Sequence, residues 1–192
     1  MHALFYDTET TGIPDWGSPS EGATQPHIVQ LAAILTDLET MEDVGTMNTL
    51  IIPNGWEWDD ANEAFLIHGI TAERARIEGI PEVEAVEKFF ELWNRDDEAI
   101  RVGHNESFDR RMIRIATKRY PELAHHEHPW YSVAKERSFC TANKSTKAMG
   151  KRPKLAAAYL HFTGEELEGA HDAMADAQAC RSIYLALNDE NP

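Results

Sequence analysis

Four acidic side chains and one histidine stand at positions that ordinary folding patterns do not account for. In Leu4-Phe5-Tyr6-Asp7-Thr8-Glu9, strand alternation puts Phe5, Asp7 and Glu9 on one face and Leu4, Tyr6 and Thr8 on the other. Asp7 and Glu9 then point the same way from backbone positions roughly 6.5–7 Å apart. Carboxylates that close repel, and at the end of a buried strand each also loses hydration. A pair of hard divalent cations relieves both costs, although a lone Asp-x-Glu also suits an exposed strand end. Asp109 lies in the first turn of a helix predicted over Ser107–Tyr120, with Ser107 as its N-cap. It shares a face with Met112, Ile113, Ala116 and Tyr120, so it points inward, whereas acids that merely complement a helix dipole usually face water. Asp176 borders a seam of Ala173, Ala177, Cys180, Tyr184 and Leu187 on a helix predicted over His171–Asn188. Small residues crowd that turn, so the helix approaches another backbone closely and a carboxylate there needs a partner. His171 stands near the helix start, where a surface histidine beside a cap is equally ordinary.

Together the four acids suit a two-metal site. Two ions roughly 3.5–4 Å apart would hold an attacking water and the leaving oxygen of a phosphodiester in line. Oxygen ligands favour Mg²⁺ or Mn²⁺ over zinc. His171, whose ordinary pKa lies near 6.5, is suited to deprotonate the water.

The elements that must carry these residues follow from composition and pattern. The chain has 192 residues, with 18 Lys+Arg against 33 Asp+Glu, a formal net charge of −15. This length fits one domain over residues 1–192, and it buries enough surface to fold without disulfides or metals. The pI near 4.9 argues against a broad basic face for nucleic acid, but not against a nuclease whose metals supply local positive charge. On that reading, affinity depends on divalent metal and local contacts. Basic residues cluster at 110–119 and 135–154, and acids at 37–43, 57–63, 82–98 and 165–168. No apolar run spans a bilayer, no secretory signal is visible, and Cys140 and Cys180 fit neither a metal motif nor a disulfide framework. A cytoplasmic location and no membrane partner are the expectations.

Strands are predicted at Ala3–Glu9, His27–Asp37, Val44–Ile52 and Ala99–Gly103, the first three as an antiparallel meander. Residues 14–26 read as loop, 60–79 as short helices broken at His68-Gly69, and 121–137 as loop. Helices are also predicted from Pro81 through Trp93 and over Lys154–Phe162. Strands first, then alternation, implies a mixed α/β sheet with helices packed against it.

The segments FYDTETTG (5–12), HNESFDRRM (104–112) and HDAMADA (171–177) resemble the three motifs of the DEDDh branch of DnaQ-like 3′–5′ exonucleases, with similarity over about residues 3–187. The resemblance implies a ribonuclease H-like fold, a mixed five-stranded sheet of an antiparallel three-strand meander plus parallel strands, flanked by helices. It implies that Asp7, Glu9, Asp109 and Asp176 bind two metal ions and that His171 is the general base, releasing nucleoside 5′-monophosphates from a 3′ end. By the same resemblance Thr8, Thr10, Thr11 and Gly12 cradle the terminal nucleotide, and Asn105 and Phe108 line the strand's path. His68 approaches the substrate or serves a structural turn.

The chain departs from the family in a longer loop from Ile13 to Pro26, which carries Trp16 and would cap substrate or contact a second copy. Gln30 stands where many members have an acid, with no expected effect on chemistry. His125, His126 and His128 lack a matching cysteine or spaced histidine pair, so no zinc site is expected. The reading is thus a Mg²⁺/Mn²⁺-dependent 3′–5′ exonuclease on single-stranded 3′ ends, DNA ahead of RNA. The alternatives are an exoribonuclease that trims RNA ends and a catalytically idle module that docks a polymerase or other partner. Nothing in the sequence decides homodimerisation.

Overall fold

Alternating apolar residues in the first fifty positions build three antiparallel strands, β1 (His2–Thr10), β2 (Ile28–Asp37) and β3 (Asp43–Leu50). The computed structural model describes residues 1–58, 62–132 and 135–189. Two short strands, β4 (Ile100–Gly103) and β5 (Ser138–Cys140), add parallel to β1, giving one sheet in the order β3-β2-β1-β4-β5. The meander and the mixed sheet match the sequence expectation. β1 is central, and its two faces are buried by different layers.

On one face, Leu4 and Tyr6 meet α3 (Glu82–Trp93) and α4 (Glu106–Arg119) through Phe89, Phe90, Met112 and Ile113. On the other, Ala3 and Phe5 pack on Ala177, Cys180 and Tyr184 of α8 (Ala173–Asp189). The predicted break at His68-Gly69 divides α1 (Glu63–His68) from α2 (Ala72–Glu78), with Gly69 ending α1 at φ 65°. Of the predicted helical stretch, residues 60 and 61 lie outside the described ones. The remaining helices are α6 (Thr141–Met149) and α7 (Leu155–Thr163).

Three local expectations are corrected. First, much of 121–137 is not loop. A 3₁₀ turn, Pro121–Leu123, leads into α5 (Ala124–Tyr131), while 133 and 134 lie outside the described residues. Pro129 hides this helix from pattern reading, and Trp130 imposes it. That indole is buried among Tyr6, Phe89, Phe90 and Trp93 with ring centroids 5.1–5.8 Å apart, and Arg101 stacks on it at 4.5 Å. Second, α4 starts at Glu106, and its N-cap is Asn105 rather than Ser107. Asn105 takes φ 82°, a left-handed conformation that asparagine tolerates. Glu106 is thereby drawn inside, where it accepts from the Tyr6 hydroxyl at 3.1 Å and faces Arg101 Nε at 3.6 Å. Third, α8 starts at Ala173, and His171 lies before it at φ 69°.

One buried acid holds the layers together. Glu82, at the start of α3, accepts from the Ile28 amide (3.1 Å), the Arg119 guanidinium (2.9 Å), the Tyr120 hydroxyl (3.0 Å) and His27 Nδ1 (3.1 Å). Burial alone would raise its pKa, but the His27 and Arg119 contacts hold it below the ordinary value. A depressed pKa means stability that is present above the unfolded value and lost as pH falls through the folded one. Glu82→Ala is expected to lower unfolding free energy by about 3–5 kcal/mol, because it strands Arg119 and three further donors. Urea melts at pH 7 check this, and a loss under about 1 kcal/mol would show that the cluster contributes little.

Candidate active site

The first, central strand runs two acids to its C-terminal end. Asp7 and Glu9 lie on the α8 face of β1, opposite Ala32 and Gln30 of β2. Asp109 arrives from α4 in the other layer and reaches the strand end, where its Oδ1 accepts from the Thr8 amide (3.0 Å) and the Thr8 hydroxyl (2.8 Å). Asp176 comes from the first turn of α8 and accepts weakly from the His171 amide at 3.3 Å. Glu9, His171 and Asp176 each offer a ligand atom, all within 4.8 Å of one another. Two strand residues and two helices from opposite layers thus deliver the four predicted carboxylates and His171 to one place.

The charges are unbalanced there. Burial, then the neighbouring acids, pushes Asp7 well above the usual carboxylate range. Burial and the nearby Asp176 and Asp109 raise Glu9 to about 8. Burial lifts Asp109 to about 7 despite the opposing Thr8 hydrogen bonds, and Asp176 to about 6. Such a set lacks positive charge, and a divalent cation among hard oxygen ligands fits it.

Gln30 and Asp172, to which sequence reasoning gave no role, set the entry to α8. Asp172 Oδ1 caps the helix by accepting from the Met174 and Ala175 amides at 3.1 and 3.2 Å. Gln30 Nε2 donates to Asp172 Oδ2 at 2.9 Å, and Gln30 Oε1 accepts from the Ala173 amide at 3.1 Å. The β2 glutamine therefore locks the turn that carries His171 and Asp176. An amide, able to donate and accept at once, does what a carboxylate there could not. The only sequence signal for this was the HD pair before an alanine-rich helix.

Beside Glu9 opens a cleft of about 540 Å³ lined by Thr8, Thr10, Thr11, Gly12, Phe108 and His68, among others. Six of the seven predicted substrate-contacting residues therefore meet. Asn105 does not line the cleft; its Oδ1 accepts from Arg152 Nη2 at 2.7 Å. Asn62 closes the floor, donating to the Thr11 carbonyl at 3.0 Å and capping α1 through the Phe65 amide. His68 Nδ1 accepts from the Ile70 amide at 3.0 Å, and burial together with the nearby His171 holds its pKa down, so it serves both the turn and the cleft as a neutral ring. Ile13 and Ile67, overlooked in the sequence, form an exposed apolar rim.

The family model for exonucleases, RNase_T, matches residues 4–184. The chain belongs to this exonuclease family. Its solved relatives in structure include Escherichia coli exonuclease I in complex with a 5cy-dT13 oligonucleotide, at TM-score 0.71 and 22% identity over 100% of this chain and 41% of that one. The zinc-bound form of the E. coli exonuclease I–ssDNA complex matches at TM-score 0.67 and 22% identity, covering 99% and 41%. Exonuclease I from Methylocaldum szegediense matches at TM-score 0.66 and 23% identity, covering 99% and 40%. These likenesses establish the fold of exonuclease I, and the chain spans about two fifths of those proteins' length. No curated protein sequence matches it. Among the described residues of this exonuclease-family chain, no helix is long and apolar enough to cross a membrane.

Other predicted features lie at or beyond the rim of the cleft. The 13–26 loop is tied down rather than free: Gln25 bridges its backbone at Asp15 and Pro19, and Arg111 donates to the Ser18 carbonyl at 2.6 Å. Trp16 sits at its exposed tip, 6.0 Å from the Arg111 guanidinium. The histidine group has a neighbour on α3 that spacing along the chain cannot show. His126 stacks on Phe90 and faces Glu87 at 3.2 Å, so Glu87, His125 and His126 bring three ligand atoms within 4.8 Å. His128 is apart, bonded to Ser132.

Proposed function

We propose that the chain is, over its whole length, one catalytic domain that removes nucleotides from the 3′ end of single-stranded nucleic acid, DNA ahead of RNA. The observation that carries this is the convergence of Asp7, Glu9, Asp109 and Asp176 with His171 beside a nucleotide-sized cleft. Membership of the exonuclease family supports it. Two divalent ions, Mg²⁺ or Mn²⁺, held by the four carboxylates would offset their charge and that of the scissile phosphate. His171 takes the proton of the attacking water, from an exposed turn that leaves its ring room to approach. The backbone at Thr8 and Thr10–Gly12 holds the terminal nucleotide, and Phe108 offers a flat apolar face to any base.

The test uses 5′-labelled 20-mers of one sequence, as DNA and as RNA, with Mg²⁺, Mn²⁺ or EDTA. A metal-dependent ladder that shortens from the 3′ end, faster on DNA, is expected. A faster RNA ladder would reverse the sugar preference, and intact oligonucleotides of both kinds would overturn the activity.

A further inference from the structure

We propose that the segment from Ser138 to Gly164 binds the phosphodiester backbone of the strand whose 3′ end occupies the cleft; this rests on the exonuclease reading above. The first observation is compositional. The segment carries Lys144, Lys147, Lys151, Arg152 and Lys154 and none of the chain's 33 Asp and Glu residues. A chain of net charge −15 that leaves one continuous stretch free of acid concentrates positive potential there.

The second observation is that these charges are not neutralised. All five side chains are exposed, and among the described residues none forms an ion pair with a carboxylate. Elsewhere basic residues are spent within the fold: Arg119 on Glu82, Lys118 on Glu127, Arg181 on Asp43 and Arg74 on Glu78. On α6 the buried face is Thr141, Ala142 and Ser145, which leaves Lys144 and Lys147 on the outward face, three residues apart. Lys151, Arg152 and Lys154 continue the basic surface through the turn to α7.

The third observation is position. Arg152 is aimed by two asparagine oxygens, Asn143 Oδ1 at 2.9 Å and Asn105 Oδ1 at 2.7 Å, and Asn105 caps the helix that carries Asp109 and Phe108. His104 fastens the same junction, with Nδ1 2.9 Å from the Thr141 hydroxyl and Nε2 3.2 Å from the Pro153 carbonyl. Thr141 in turn lies 3.6 Å from Cys180, one turn beyond Asp176 on α8. The basic surface is therefore joined, through Asn105 and Cys180, to the two helices that carry Asp109 and Asp176. Cations there would capture internal phosphates of a strand and position its end beside the acids, which otherwise repel a polyanion.

The experiment compares wild type with Lys147→Glu/Lys151→Glu and with the milder Lys147→Gln/Lys151→Gln, all substitutions at exposed positions. The readouts are KM against substrate length and the affinity of a labelled 20-mer against salt by anisotropy. On the 20-mer, the Glu pair is expected to raise KM at least tenfold, with the Gln pair intermediate. The log–log salt slope should fall by roughly 1.4, since each phosphate contact on a single strand contributes about 0.7. The effect should vanish on thymidine 5′-(4-nitrophenyl phosphate), which has no second phosphate to reach the segment. Unchanged KM and salt slope on the 20-mer, with the nitrophenyl ester still cut, would overturn the proposal and leave the exonuclease standing. Failure of wild type to cut the 20-mer would sink the exonuclease reading, and the anisotropy series would then decide the basic surface alone.

Discussion

Asp7→Asn should lower turnover at least about 1000-fold while raising the melting temperature of the protein in EDTA. The first half follows from the place of Asp7 among four acids that share one locus: on the proposed two-metal reading, losing a shared ligand would remove several kcal/mol of stabilisation for charge on the phosphate, about three orders of magnitude in rate. The second half follows from the same crowding. Without metal, Glu9, Asp109 and Asp176 ionise only near 8, 7 and 6, against ordinary values of 4.5, 3.8 and 3.8. Acids whose folded pKa is raised bind protons more tightly in the folded state, so charging them works against folding. Stability in EDTA should therefore fall as pH rises from about 4 to 8, and Asn at position 7 should flatten that fall. Calorimetry in EDTA across this range, beside single-turnover assays in Mg²⁺, tests both halves. A melting temperature that drops with the substitution would refute the repulsion, and retained turnover would remove Asp7 from the site.

His171→Asn should cut hydrolysis by a factor of about 100 to 10,000, the usual scale for losing a general base, with oligonucleotide affinity nearly unchanged. Asparagine is the better replacement because His171 has φ 69°, a conformation that asparagine tolerates and most residues resist. His171→Ala should lose as much activity plus a little stability. The discriminating measurement is the pair of kcat and Kd. A loss confined to binding would make His171 a substrate contact, and unchanged kcat would place proton removal elsewhere.

Much of this site is legible in the sequence because its parts are local. Alternation along Leu4–Glu9 tells which face carries the acids, and helical spacing shows that Asp109 points inward. What spacing along the chain cannot tell is which layers meet. Asp109 bonds to Thr8 across 101 positions, and Gln30 reaches the α8 cap across 142. Trp130 draws a proline-containing segment into a helix because four distant aromatic rings surround it. Asn105 and His171, both at positive φ, shift two helix starts that side-chain patterns alone place one or two residues away. Asn105 also shows how a residue expected beside substrate can hold the wall instead, through Arg152.

The scattering of the four carboxylates over positions 7, 9, 109 and 176 has a consequence for the protein's own synthesis. On the proposed reading, the ligand set stays incomplete until the chain has been made through Asp176 and α8 has docked on β1. A nascent or locally unfolded molecule would then be harmless to the nucleic acid around it. Fraying of α8 alone would suffice to disarm a finished one.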